Sequence, residues 1–179
     1  MLSLGTEAPD FELWDTVSNS IKTLNKLKGP QGTLILFICN HCPFVIHIND
    51  ALVLIANSLK EKGISVVAIS SNDVENYPQD GPEQMRIHAK NTNYPFPYLY
   101  DETQSVAKAY DAACTPDFFL FDSDLKLQYR GQLDDSRPGN GLPVDGTDLL
   151  HAVHCMIENI ENTRPQKPSI GCNIKWKTS

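Results

Sequence analysis

Two cysteines stand three positions apart at the end of an apolar run in this chain. Cys39 and Cys42 enclose Asn40 and His41, and a proline follows directly. A thiol at the start of a helix lies near unpaired backbone N–H groups and the positive end of the helix dipole, so its thiolate form is favoured. Thiolate is the nucleophile in thiol–disulfide exchange. The segment therefore predicts redox chemistry at Cys42, with Cys39 as one candidate partner and His41 as a group that stabilises the thiolate or relays a proton.

The residues around the two cysteines predict the end of a strand followed by a helix. A strand is expected at residues 33–39, which are almost entirely apolar, as in a strand buried on both faces. Pro43 suits the first helical turn, where its missing N–H is not needed. Apolar residues then keep helical spacing as far as Lys60, and Gly63 suits the end of that helix.

The rest of the chain predicts alternating strands and helices. The expected strands are an N-terminal hairpin of residues 8–13 and 21–24, then residues 64–70, 98–100, 117–122 and 125–130. The expected helices are residues 43–60, 83–90, 103–110 and 148–162, the last with Thr147 as N-cap. Strands separated by helices pair in parallel, whereas the late hairpin adds antiparallel strands. The sequence therefore predicts an α/β fold with a central mixed β-sheet flanked by helices.

Composition narrows the class of protein. The chain has 179 residues, of which 41% are hydrophobic, and we expect one domain over residues 1–179 with residues 163–179 as a C-terminal tail. Its net charge of −7 disfavours nucleic acid or an anionic membrane as a partner. The N-terminus lacks a signal-peptide pattern, so a cytoplasmic location is expected. An odd number of five cysteines in a reducing compartment argues against a structural disulfide framework.

Four segments of the chain resemble the thioredoxin-like superfamily. They are Ala8–Phe11, Phe37–Pro43, Cys114–Phe119 and Gly171–Trp176, and the second contains a Cys-Asn-His-Cys-Pro sequence similar to that of peroxiredoxin-like, AhpC/TSA-type proteins. The resemblance implies a thioredoxin-like fold with an N-terminal hairpin extension. It also implies a redox-active cysteine, an oxidoreductase or antioxidant activity and a part in cell redox homeostasis, without a cofactor or metal. The attacking cysteine of such proteins lies five positions after a strand phenylalanine, which again gives Cys42.

The resemblance also implies a substrate-binding strand. Thr115 and Pro116 look like the threonine–cis-proline pair that faces the active cysteine, so that the Thr115 backbone can pair with an extended substrate. We expect Asn40 to complete this substrate-binding part of the site. Cys114 precedes the pair directly and is expected to lie near Cys42 as a second thiol.

Several alternatives remain open at this point. The second thiol is Cys114, Cys39, Cys172 or an external thiol, while Cys155 is expected in the core. A thiol peroxidase is the rival enzyme, although the proline and threonine that precede the peroxidatic cysteine in that family are absent; Arg130 or Arg137 would supply the positive charge. A metal- or partner-binding module, with Cys39, Cys42 and His41 as ligands, is the non-enzymatic rival. Expected partners are protein or small-molecule thiols and disulfides, with a homodimer left open.

Overall fold

The structure, a computed structural model, describes residues 2–178 and consists of a sheet with helices on both faces. The elements in chain order are β1 (Glu12–Asp15), β2 (Ser20–Thr23), α1 (Leu24–Leu27), β3 (Gly32–Phe37), α2 (Pro43–Glu61), β4 (Ile64–Ser70), a 3₁₀ turn (Pro78–Asp80), α3 (Pro82–Thr92), β5 (Tyr98–Tyr100), α4 (Ser105–Ala109), β6 (Cys114–Thr115), β7 (Asp117–Asp122), β8 (Leu127–Gly131), α5 (Thr147–Ile157) and β9 (Cys172–Asn173). This order matches the α/β pattern predicted from the sequence.

The larger sheet is mixed, with the strand order β2-β1-β5-β4-β3-β7-β8. Strands β3, β4 and β5 pair in parallel, because helical connections return the chain to the same end of the sheet. The β1–β2 and β7–β8 hairpins are antiparallel, and they flank the parallel part through β5 and β3. The predicted mixed sheet, N-terminal hairpin and late hairpin are confirmed.

Strand β3 is buried on both faces and leads directly to the site. Leu34 and Leu36 face a core covered by α2, α3 and α5, whereas Ile35 and Phe37 face a second core covered by α1 and α4. This alternation follows the two-residue period of a strand. The continuous apolar sequence is explained because neither face meets water. The chain therefore leaves the centre of the sheet at Phe37 and forms a short connection, residues 38–42, before α2.

Helix α2 is fixed to the sheet by one apolar face. Val45, Ile48, Leu52 and Leu59 are buried at helical spacing, so the first turn of the helix is held against the end of β3. Burying side chains of this size stabilises the fold by about 1.5–3 kcal/mol each. None of the helices within residues 2–178 is both long and apolar enough to cross a membrane.

Several predicted boundaries are wrong. Strand β3 ends at Phe37 rather than at residue 39, and two further differences have a visible cause. Leu24 was expected to end the second strand of the N-terminal hairpin, but it begins α1, because its side chain turns into the second core and is only 2% exposed. Helix α5 ends at Ile157 rather than near Asn162, and Asn159 adopts a left-handed φ of 52° that the helix cannot continue through.

The expected cap of α5 is also wrong. Gly146 occupies the N-cap with φ 69°, and Thr147 is the first helical residue. The Asp145 carboxylate accepts hydrogen bonds from both the hydroxyl and the N–H of Thr147. The Thr147 side chain therefore points back toward Asp145 instead of capping the helix. Glycine suits the N-cap because φ 69° lies in the left-handed region that residues with a Cβ rarely adopt.

The C-terminal tail packs back on the body of the protein. Ile174 is buried in the second core, whereas the Trp176 side chain is 41% exposed, so only the first of these two predicted contacts enters the core. The backbone of Lys175 accepts the Asp73 N–H at 2.8 Å and donates to the Asn72 side chain at 2.9 Å. The tail is therefore attached to the loop after β4, which is the neighbour of the loop that carries Cys42.

Candidate active site

Cys42 lies at the amino end of α2, as the sequence predicts. It is the N-cap residue, with an extended backbone (φ −69°, ψ 122°), and Pro43 is the first helical residue. The Cys42 carbonyl accepts the N–H groups of Val45 and Ile46 at 3.0 Å each, which begins the helix. The side chain has no exposed surface, so the thiol lies beside the helix dipole in a site closed to bulk water.

The Cys42 sulfur is surrounded by hydrogen-bonding groups from three segments of the chain. These groups lower the pKa of Cys42 well below its ordinary value: the hydrogen bond from Cys39 is the largest cause, burial opposes it, and hydrogen bonds from Thr115 and Cys172 add to it. Cys172 contributes both its thiol and its backbone N–H. In the protonated state the Cys42 thiol donates to the Thr115 carbonyl at 3.1 Å, a contact that the thiolate must give up. The donors outnumber this one acceptor, so the thiolate is favoured.

Cys39 acts in the opposite sense from Cys42. The pKa of Cys39 is raised far above its ordinary value. The largest cause is the hydrogen bond that its thiol donates to Cys42, followed by burial and the nearby Asp80 carboxylate. Its sulfur also lies 3.4 Å from the Thr115 hydroxyl. Cys39 is therefore a neutral donor that holds a thiolate at Cys42.

A buried carboxylate that the sequence analysis missed, Asp80, fixes the loop before α2. Asp80 has no exposed surface and accepts the Asn40 N–H on one oxygen and the Asn72 amide on the other, each at 2.8 Å. The Asn40 side chain donates to the Gln79 carbonyl at 2.9 Å and accepts the Tyr98 hydroxyl at 3.1 Å. Both the backbone and the side chain of Asn40 are thus occupied in positioning the loop, and its predicted contact with substrate stays a prediction.

His41 lies at the rim of this network. Its Nδ1 is 2.6 Å from Oδ2 of Asp80, at an angle that departs from that of a hydrogen bond, and its ring stacks on Tyr77 with centroids 5.8 Å apart. These contacts hold the ring toward the 3₁₀ turn and Tyr77. A direct effect of His41 on the Cys42 thiolate stays a prediction.

A potential set of metal ligands differs from the one considered in the sequence. Ligand atoms of Cys39, His41 and Asp80 lie within 4.8 Å of one another, whereas the sequence alternative used Cys42 in place of the aspartate. Structural zinc sites take four ligands. Here both Asp80 oxygens are already occupied by amide donors from Asn40 and Asn72. Hydrogen bonding therefore accounts for the two Asp80 oxygens, while Nδ1 of His41 has no hydrogen-bond partner.

Thr115 faces the two cysteines from a short two-stranded ladder formed by β6 and β9. The Thr115–Pro116 peptide bond is cis, as the resemblance implied. In the ladder Thr115 lies opposite Cys172 and Cys114 lies opposite Asn173, in antiparallel register. The backbone edge that was expected to pair with a substrate is therefore paired with the C-terminal tail of the same chain.

The structure directs the Cys114 side chain away from Cys42. Successive side chains of a strand point to opposite sides, and Thr115 points toward the site cysteines. The Cys114 thiol instead lies 3.7 Å from the Pro116 carbonyl. Burial, with the nearby Asp117 carboxylate, raises the pKa of Cys114 to about 12. The thiols that lower the pKa of Cys42 through hydrogen bonds are those of Cys39 and Cys172, and a role of Cys114 as second thiol stays a prediction. Cys155 lies on the buried face of α5, in the core, as predicted.

The two candidate arginines are occupied by other oxygen atoms. Arg130 is buried and pairs with the carboxylates of Asp111 and Asp117 at 3.4 and 3.6 Å. Arg137 donates to the backbone carbonyls of Asp134 and Ser136. The Arg130 guanidinium is therefore held by carboxylates, whereas the buried Nε–H of Arg137 has no hydrogen-bond partner.

Comparison with known proteins agrees with this fold. The sequence profile of the AhpC/TSA family matches residues 4–130, which is well over half of the chain. The chain is similar to a conserved protein from Geobacillus kaustophilus of uncharacterised function (56% identity, 100% of this chain and 95% of that one, TM-score 0.97). It is also similar to a hypothetical protein from Sinorhizobium meliloti 1021 (47%, 100% and 97%, TM-score 0.96).

More distant structures identify the fold. The thioredoxin domain of a thiol-disulfide oxidoreductase from Bacteroides vulgatus superposes with a TM-score of 0.67 at 19% identity, over 88% of this chain and 99% of that one. No protein with curated annotation matches the sequence significantly. The thioredoxin-like fold is confirmed by this superposition. Because the family profile spans strand β3, the cysteine segment and the Thr115–Pro116 pair, the chain belongs to the AhpC/TSA family.

Proposed function

We propose that this protein is a thiol–disulfide oxidoreductase in which the Cys42 thiolate attacks a disulfide bond. The observation that carries the proposal is the convergence of Cys39, Thr115 and Cys172 on the Cys42 sulfur, at the amino end of α2. A lowered pKa provides thiolate at neutral pH, and the thiolate is the reactive form. The thioredoxin domain from Bacteroides vulgatus, which comes from an enzyme of this class, supports the same chemistry.

The reaction is an exchange of sulfur–sulfur bonds. The Cys42 thiolate attacks one sulfur of the substrate disulfide; the substrate S–S bond breaks, and the departing thiolate takes a proton from solvent. The product is a mixed disulfide between Cys42 and the substrate. A second thiol then attacks the Cys42 sulfur and releases the rest of the substrate as a thiol. The substrate gains two electrons and the protein is left with a new disulfide, which an external thiol later reduces.

The proposed substrates are disulfides of proteins or small molecules, encountered in the cytoplasm. A shallow groove runs beside Pro116 and the first turn of α2 and is lined in part by Phe44, His47, Leu133 and Ile170. Its apolar walls suit the side chains that flank a cysteine in a peptide. We propose that substrate groups bind in this groove while the Thr115 segment, next to Cys42, faces the reacting sulfur.

The test is reduction of a peptide disulfide by the full chain, with dithiothreitol as electron source. Cys42→Ser should abolish the catalysed rate. Cys155→Ser is the matched control, since Cys155 is buried in α5 and hydrogen-bonds to His151, a contact that serine can keep. Its rate should equal that of the unmodified protein. Full activity in Cys42→Ser would rule out this function.

Family membership favours a second candidate, a thiol peroxidase. In a peroxidase, micromolar hydrogen peroxide would oxidise Cys42 rapidly to sulfenic acid, with peroxide reduced to water. We favour exchange because the residues before Cys42 lack the proline and threonine of that family and because Arg130 is held by carboxylates. Mass spectrometry after brief exposure to peroxide distinguishes the two: slow sulfenic acid formation at Cys42 supports exchange, and formation within seconds supports the peroxidase.

A further inference from the structure

We propose that Cys172, on strand β9 of the same chain, is the second thiol of the exchange reaction, so that the oxidised protein contains a Cys42–Cys172 disulfide. This inference rests on the proposed function, because it names the group that releases the substrate from Cys42. It also gives the C-terminal tail a chemical role.

Strand pairing brings the two sulfurs to the same side. Cys172 lies directly opposite Thr115 in the antiparallel ladder, and opposite residues extend their side chains from the same face. The Thr115 hydroxyl on that face lies 3.4 Å from the Cys39 sulfur, beside Cys42. Hydrogen bonding from the thiol and the N–H of Cys172 is among the causes that lower the pKa of Cys42. The next residue, Asn173, is paired with Cys114 and faces the other way.

The tail is held close enough to keep Cys172 in this position. Gly171 passes so near β6 that a Cβ on it would lie 2.0 Å from the Thr115 carbonyl oxygen, so the approach requires glycine. On the other side of Cys172, the Ile174 side chain is buried and its N–H donates to the Ala113 carbonyl at 3.2 Å. The cysteine is thus anchored at both ends rather than carried on a free terminus.

Exposure and acidity favour Cys172 over Cys39. Of the five cysteines, all within the described residues, Cys172 alone is not buried. Cys39 must lose its proton inside the core and beside the Asp80 carboxylate. Burial and the hydrogen bond with Cys42 raise the pKa of Cys172 only to about 11, and Lys175 counteracts part of this. Once Cys42 is in a mixed disulfide, it carries no negative charge, so the part of this increase that comes from Cys42 is removed.

The substrate disulfide takes up two electrons in this reaction, and external thiols supply them. After the substrate disulfide has joined Cys42, Cys172 loses its proton to solvent and attacks the Cys42 sulfur; the mixed disulfide breaks and the second substrate thiol leaves. To regenerate the protein, an external thiolate attacks the half-buried Cys172 sulfur, and Cys42 departs as thiolate. A leaving group with a low pKa departs faster, so this direction of attack suits both cysteines. A second external thiol then reduces the mixed disulfide on Cys172.

The first experiment is disulfide mapping of the full chain after oxidation by glutathione disulfide, with free thiols blocked in acid. The expected product is a peptide pair joined by Cys42–Cys172. A Cys39–Cys42 pair in its place would overturn this inference. If Cys42 reacts with neither glutathione nor another cysteine, the proposed function fails as well, so the two failures are distinguishable.

The second experiment compares three variants under the same oxidation. Cys172→Ser should accumulate the glutathione adduct on Cys42, at least ten-fold above the unmodified protein, because the group that removes it is missing. Cys39→Ser should still form the Cys42–Cys172 disulfide, and Cys155→Ser should behave as the unmodified protein. Circular dichroism of each variant checks the fold. Adduct accumulation in Cys39→Ser instead of Cys172→Ser would contradict the assignment.

Discussion

The Asp80 carboxylate lies 2.6 Å from Nδ1 of His41, although the two residues are separated by a strand and a helix in the sequence. The same carboxylate accepts the backbone N–H of Asn40. Asp80 follows β4 and the histidine follows β3, and these strands are parallel neighbours. The loop that presents Cys42 is therefore held by a group from the adjacent loop, at the edge where α/β sheets carry their sites.

Replacing Asp80 with asparagine should destabilise the protein by about 1–3 kcal/mol. An asparagine has one oxygen, whereas Asn40 and Asn72 donate to two, so one donor would meet the new NH₂ group. Urea unfolding measures the change in the free energy of unfolding. Asp124→Asn is the control, because Asp124 is exposed and its replacement should change stability by less than about 0.5 kcal/mol. An Asp80→Asn protein as stable as the control would show that this network contributes little.

Removing the Cys39 thiol should raise the pKa of Cys42. The Cys39 hydrogen bond is the largest cause that lowers this pKa, so its loss favours the protonated form. Absorbance of thiolate at 240 nm, taken as the difference between each protein and its Cys42→Ser counterpart, gives the titration midpoint without a requirement for access to the sulfur. Cys39→Ala should move the midpoint to higher pH.

The matched variant Cys39→Ser keeps a hydroxyl donor at the same place. Its midpoint should lie between those of the unmodified protein and Cys39→Ala. Equal midpoints for all three proteins would mean that Cys39 does not stabilise the Cys42 thiolate, and that the helix terminus and the donors from Thr115 and Cys172 do so alone.

The stability of the protein should depend on pH through Cys42. Its pKa is lowered in the folded state relative to the ordinary value of 9.0, so between the lowered pKa and pH 9 the unfolded chain binds more protons than the folded one. The contribution of Cys42 to the free energy of unfolding therefore rises with pH across this window, by at most about 1.4 kcal/mol per pH unit. The contribution is lost as pH falls through the pKa of Cys42 in the folded state.

The difference in unfolding free energy between the unmodified protein and Cys42→Ser isolates this effect. Measured with urea under reducing conditions, it should grow as pH rises toward 9. The raised pKa values of Cys39, Cys114 and Cys172 affect stability above pH 9, where the thiols of the unfolded chain lose their protons, so the comparison is made below pH 9. A difference that does not change with pH would mean that Cys42 titrates alike in the folded and unfolded chains.

The sequence predicts the position of Cys42 well because that position depends on local signals. An apolar strand, a proline at the first helical turn and helical spacing after it are all visible in residues 33–60. The role of Asp80 was not visible, since nothing near it in sequence indicates a buried carboxylate. The signal that was available is topological: the loops after two parallel neighbouring strands meet at one edge of the sheet, which makes a polar residue after β4 a candidate.

The proposed partner of Cys42, Cys172, could not be derived from proximity in sequence to Thr115. Cys114 is adjacent to Thr115, but adjacent strand residues face opposite sides. Cys172, far along the chain, reaches the site because the tail pairs across β6. Such pairing depends on two-residue strands without a periodic pattern, so the sequence left Cys172 as one of several candidates.

Loosening the tail should separate Cys172 from Cys42. Ile174 is 3% exposed and anchors the tail in the second core, so Ile174→Ala removes apolar contacts worth about 2–5 kcal/mol. The tail then opens more often, and we expect iodoacetamide to alkylate the otherwise covered Cys42 at least several-fold faster. Ile21→Ala is the matched control: it makes the same change on β2, at the far edge of the sheet and at a side chain that is 56% exposed, and should leave the rate unchanged. Mass spectrometry of the alkylated peptides gives both rates. An unaltered rate for Ile174→Ala, in a protein whose circular dichroism is unchanged, would show that something other than the tail closes the site.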